Sequence, residues 1–109
     1  MDDRVKKYLF DILESIKAID SYLDGKRIYK DYLANKMLRR AVEREFEIIG
    51  EAMTKLNQID PEIPISSKSL IIGMRNRVIH GYDRIDHEIV WGAIVRHLPV
   101  LQSEIEGLL

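Results

Sequence analysis

Apolar residues recur along the first stretch of the chain at Val5, Leu9, Ile12, Ile16, Ile19 and Leu23. Their spacings alternate between four and three and lay one stripe down a helix. Asp24-Gly25-Lys26 closes the pattern, glycine being common just past a helix C-terminus. The stripe predicts a first helix over residues 3–24. A second segment, residues 29–57, contains no proline and one glycine. Leu33, Met37, Ala41, Ile48, Ala52 and Leu56 are read as its main face, with Leu38, Val42 and Ile49 broadening it. Arg39, Arg40, Glu43, Arg44 and Glu47 are read as solvated, and residues 27–31 as a less regular start.

Asp60-Pro61-Glu62-Ile63-Pro64 cannot continue a helix, because proline lacks the backbone donor and restricts the residue before it. Ser66 or Ser67 is then placed to cap a third helix over residues 68–79, with His80-Gly81-Tyr82-Asp83 as its exit. The last helix is predicted over residues 86–108. Its buried side is Val90, Ala93, Ile94, Leu98, Leu101, Ile105 and Leu108, and Pro99 inside the pattern predicts a kink. No segment alternates apolar and polar residues as a half-buried strand would. The expectation is all-α: an antiparallel four-helix bundle with short connections, filling residues 1–109 as a single domain.

Composition sharpens this picture in three ways. With 109 residues the chain can bury one core but not two. It has no cysteine, so disulfides and thiolate metal sites are unavailable and a reducing compartment is favoured. Met1-Asp2-Asp3-Arg4 lacks the apolar run of a secretion signal, and no run approaches the ~20 residues that cross a bilayer. These features place the protein in the cytoplasm, off the membrane. The net charge of −1 is less basic than bulk electrostatic binding to nucleic acid requires. Contact with RNA must therefore come from a local basic patch, or from one that two subunits build together.

The candidate chemistry lies in Gly73-Met74-Arg75-Asn76-Arg77-Val78-Ile79-His80-Gly81-Tyr82. Arginine is a permanent cation whose fork matches phosphate oxygens, and histidine gives or takes a proton near neutrality. Together they suit phosphodiester cleavage without a metal. A ribose 2′-hydroxyl is activated, the leaving oxygen is protonated, and the guanidinium stabilises charge developing at phosphorus. His87 and His97 lie ten residues apart with no evident third ligand, so no metal site and no cofactor is expected. Arg75 and His80 are roughly 140° apart on an ideal helix of ~3.6 residues per turn. They share a face only if the helix end loosens, which Gly81 would allow. One arginine and one histidine are also a sparse catalytic set, and a two-fold homodimer would place two of each in one cleft.

The spacing Arg-x-x-x-x-His-x-Tyr, here Arg75, His80 and Tyr82, resembles the signature of HepT-type toxins of the HEPN superfamily. Ile48-Ile49-Gly50-Glu51-Ala52 is similar to a turn of that family's second helix. Pro61 to Pro64 ahead of Gly73-Met74-Arg75-Asn76 matches its order of landmarks, as do Asp86 to Trp91 and Leu98-Pro99. The resemblance spans residues 4–108. It implies a dimeric, metal-independent ribonuclease, the toxin of a HepT/MntA-type pair. Its antitoxin partner is a minimal nucleotidyltransferase that transfers AMP from ATP to the motif tyrosine, here Tyr82. Arg75 would then be the phosphate stabiliser, His80 the acid–base group and Asn76 a hydrogen-bonding support. An AMP group on Tyr82 would fill the phosphate groove and oppose the charge of RNA.

Plainer readings stand beside these. Arg75 can be an ion-pair partner of Glu51, His80 a helix-end histidine bonding the last carbonyls, and Tyr82 a packed aromatic. Gly50 costs a helix roughly 1 kcal/mol relative to alanine and is read as a point of close helix approach. Trp91 is assigned to the core or a dimer interface. Arg39, Arg40 and Arg44 are assigned to a solvated face with a lesser chance of guiding RNA, and Arg77 fits either role. The alternative function is a non-catalytic nucleotide-binding module that presents substrate to the nucleotidyltransferase.

Overall fold

The first stripe forms α1, Asp3–Tyr22, in a computed structural model that describes residues 1–80 and 86–109. Asp2 caps it by accepting a hydrogen bond from the Arg4 amide at 2.7 Å. Every residue of the predicted stripe, Val5 through Leu23, is buried. The chain leaves the helix through Asp24 and Gly25, both at positive φ (55° and 68°). Glycine adopts that conformation without steric cost.

The second segment is two helices rather than one: α2, Tyr29–Ala34, and α3, Lys36–Ile59. Asn35 between them is extended, and its side chain accepts from the Leu38 amide at 3.0 Å. An amide that satisfies an orphan N–H offers the backbone an alternative to helix continuation. The break also changes the register. Met37 is 81% exposed and Leu33 is exposed, whereas Tyr32 is fully buried. The true core stripe of α3 is Val42, Phe46, Ile49, Met53 and Leu56. Glu43, read from sequence as solvated, is buried and takes a 2.9 Å ion pair from Arg40.

Ile63 and Ile65 pin the proline-marked connection to the core, and α4 follows as Lys68–His80. Neither expected serine supplies a side-chain cap among the described contacts. Ser66 binds the Glu104 carboxylate through its amide and hydroxyl, and Ser67 offers its carbonyl to the Ile71 amide. The final rod begins at Asp86, whose carboxylate caps the Glu88 and Ile89 amides. It runs as α5, His87–Gly92, one π-helical turn, Ala93–His97, and α6, Leu98–Leu108. Pro99 has no N–H for the carbonyl of Val95, and its ring crowds that oxygen. The helix widens just before it, the Leu98 amide donating instead to Ala93. The kink expected at Pro99 thus takes the form of a wide turn upstream of it.

The helices form an all-α bundle with no strand among the described residues. Tyr22 at the end of α1 bonds Glu45 early in α3, and Lys55 late in α3 lies over the Tyr8 ring near the start of α1. Those two contacts make α1 and α3 antiparallel. α4 also packs on α3, and α6 touches α1. Trp91 packs against Tyr29 and Tyr32, with ring centroids 5.7 and 5.2 Å away, so it belongs to the core margin. Among the described residues no helix is long and apolar enough to cross a membrane.

Candidate active site on the fourth helix

α4 carries Lys68, Arg75 and Arg77 and no carboxylate. It is a locally cationic helix in a chain whose net charge is −1. Ile71 and Met74 fix its orientation by entering the core, and this divides its polar residues between two faces.

Arg75 faces α3. A Cβ built on Gly50 would lie 2.2 Å from Arg75 Cβ, 2.9 Å from its Cδ and 3.0 Å from its Cγ. The arginine stem therefore rests on bare α3 backbone, in a notch that any larger residue would fill. Close helix approach explains Gly50, as expected, and the thing that approaches is Arg75. Among the described residues Arg75 does not pair with Glu51, the partner its plain reading offered. Glu51 pairs with Lys55 at 3.5 Å, and no described ion pair includes Arg75. Arg75 is half-buried, and its Nε is shielded from solvent with no hydrogen-bond partner among the described residues. A buried donor left unmade costs about 1–3 kcal/mol, a penalty that an arriving acceptor oxygen would remove.

His80 is the last residue of α4, which stays helical up to it. The helix end does not loosen before His80. Positions 75 and 80 therefore keep their separation of roughly 140°, and the backbone alone does not bring them to one face. Position 80 instead shares a face with Gly73, seven residues and about two turns earlier, and flanks Arg77. Asn76 is exposed beside Arg75. Tyr82 lies outside the described residues, so its expected place in the site is not among these geometries.

The second face of α4 opposes the π-helical turn across an open groove of about 380 Å³. Leu70, Met74 and Ile89 make its apolar floor, and Arg77, Arg96 and His97 are its charged or titratable lining. Glycines on both walls keep it open. A Cβ on Gly73 would meet nothing within 4 Å, and one on Gly92 would meet only the Arg96 side chain, whose Nη2 lies 2.7 Å away. The Arg96 guanidinium is thus folded back over Gly92. Arg96 was not singled out from the sequence, and His97 only as a histidine without further metal ligands. The only signal was Pro99 three and two positions downstream, which marks helix irregularity without saying which way the widened turn aims its side chains. Among the described residues no group of three or more His, Asp or Glu is placed to hold a metal ion.

The chain matches the family model described as Ribonuclease HepT-like over residues 12–108. It is 33% identical over 107 residues to a Thermococcus cleftensis protein named "Probable ribonuclease HepT", covering 94% of each chain. It is also 36% identical over 106 residues to a Methanocaldococcus jannaschii protein named as a candidate RNase, again over 94% of each. A second candidate RNase of that organism is 31% identical over 109 residues, covering 96% of this chain and 87% of the relative. No solved structure matches.

Proposed function

Because the chain belongs to the HepT-like ribonuclease family of the HEPN superfamily, we propose that it is a metal-independent endoribonuclease. In this reading it is the toxin of a two-component pair and acts as a homodimer. The observation that carries the proposal is Arg75: a guanidinium anchored in the Gly50 notch, with a buried donor and no described carboxylate partner. A side chain so held is organised in advance for a phosphate oxygen.

The chemistry needs a base, an acid and a cation. The 2′-oxygen attacks the adjacent phosphorus as its proton passes to a neutral imidazole. The bond from phosphorus to the 5′-oxygen breaks, and an imidazolium protonates that oxygen. The products are a 2′,3′-cyclic phosphate and a 5′-hydroxyl, and no oxidant or metal is consumed. Two imidazoles in opposite protonation states are required, and one chain offers a single His80 in this stretch. A two-fold partner supplies the second. It also answers the register problem, since His80 of one protomer can stand beside Arg75 of its partner although the two diverge within one helix.

Tyr82 is the regulatory position. Attack of its phenol oxygen on the α-phosphorus of ATP, in a minimal nucleotidyltransferase partner, releases pyrophosphate and a proton and leaves AMP on the tyrosine. The added anion sits two residues from His80 in sequence, where it would repel RNA and occupy the phosphate site. Asn76 supports the bound phosphate by hydrogen bonding.

The test is RNA cleavage in EDTA by protein whose intact mass shows no added AMP, compared with His80→Ala and Arg75→Ala. Cleavage by the wild type alone supports the ribonuclease. Nucleotide binding that survives His80→Ala but not Arg75→Ala, with no cleavage by any variant, replaces it with the substrate-presenting module.

A further inference from the structure

The groove between α4 and the π-helical turn lies outside the Arg75 notch, yet the register of α4 directs it toward position 80. Four features bear on what it takes. Its volume, about 380 Å³, is in the range that holds one small organic group. Among the described residues its polar lining is Arg77, Arg96, His97 and Ser69. No described ion pair includes Arg77 or Arg96, although six pairs are formed by other residues of the chain. Beneath these groups, Leu70 and Ile89 remain exposed at 40% each, an apolar floor without a cover.

Cations above an apolar floor match a nucleotide unit, with its phosphate on the guanidiniums and its ribose and base against the aliphatic side chains. Gly73 lets a bulky chain approach the α4 backbone closely. On the other wall the π turn carries Arg96, whose guanidinium lies over Gly92, and Arg77 lines the same groove from α4. Such turns recur where a helix must re-aim functional side chains.

We propose that this groove is a phosphate-binding subsite for the RNA strand next to the scissile bond, gripped by Arg77 and Arg96. The subsite rests on the ribonuclease reading and extends it: the enzyme holds at least one nucleotide beyond the bond that is cut. Contacts to phosphate position the strand without reading its sequence.

The experiment measures binding of a fluorescein-labelled 2′-O-methyl oligouridylate, which lacks the attacking hydroxyl, to unmodified full-length protein across a salt series. Arg96→Gln is expected to weaken binding about tenfold at low salt. It should also flatten the dependence of log Kd on log salt by about 0.7 for each phosphate that is no longer neutralised. Arg96→Lys should restore the slope, since the charge returns. An unchanged slope in Arg96→Gln, while wild type binds and cleaves, overturns the subsite and leaves the ribonuclease standing. Loss of binding together with loss of the dimer, followed by sedimentation, overturns it in favour of a second copy of this chain as the occupant. A wild-type protein that neither binds this probe nor cleaves RNA overturns the ribonuclease reading itself.

Discussion

The two faces of α4 make opposite use of glycine. Toward α3, Gly50 removes a side chain so that Arg75 can fill the space, and the contact is tight enough that a methyl group would meet three carbons at 3.0 Å or less. Toward the final rod, Gly73 leaves space that nothing fills within 4 Å, so a groove stays open beside it, while the Arg96 guanidinium covers Gly92. The first arrangement fixes one arginine in place before any ligand arrives. The second places Arg77 of α4 and Arg96 of the π-helical turn along one open groove.

This contrast can be broken experimentally. The largest effects belong to the chemistry: Arg75→Ala and His80→Ala should each reduce cleavage by about 10²–10⁴-fold with little change in the denaturation midpoint. Loss of fold in Arg75→Ala would mean that its role is packing. Next comes Gly50→Ala. The new Cβ meets the Arg75 stem next to its own backbone, which cannot swing aside, so urea denaturation should show a loss of about 1–3 kcal/mol. Cleavage should fall with it. In an Arg75→Gly background, Gly50→Ala should cost far less, and equal costs in both backgrounds would separate the notch from Arg75.

Gly73→Ala should have the opposite sign. The site is helical and empty around the glycine, so alanine should stabilise the protein by up to about 1 kcal/mol while narrowing the groove and weakening RNA binding. A destabilised Gly73→Ala would show that the groove is already filled by protein.

The smallest effect concerns Tyr32, whose phenol is fully buried with no hydrogen-bond partner. Burial, and next the nearby Glu43 carboxylate, raises its pKa above the ordinary value of 10.0. The folded state therefore holds this proton more tightly than the unfolded chain does. The stability it contributes is present below about pH 10 and is lost as pH rises beyond that. Tyr32→Phe should leave stability at neutral pH unchanged or slightly higher, and should flatten the alkaline decline seen in thermal melts. An unaltered alkaline limb would assign that decline to other groups.

Hydrophobic periodicity determined the stripe of α1 and, Leu108 apart, the buried side of the final rod, because each buries one continuous stripe whose spacing needs no knowledge of its neighbours. It failed at Asn35, where a cap available to one side chain outweighed helix continuation and turned Met37 outward. The motif residues Arg75, Asn76 and His80 were legible as residue types at a spacing, and the charge of the helix that carries them could be counted. What that helix packs against could not. That Gly50 seats Arg75 depends on two helices meeting at one height, and that Arg77 and Arg96 line one groove depends on how α4 and the final rod are packed. Neither relation is local. A sequence fixes which side chains are present and which stripe a helix wants to bury, since both follow from intrinsic geometry and hydration. Which side chain occupies which gap follows only from how the stripes are packed together, and in this protein that packing separates the anchored arginine from the pair left open to a ligand.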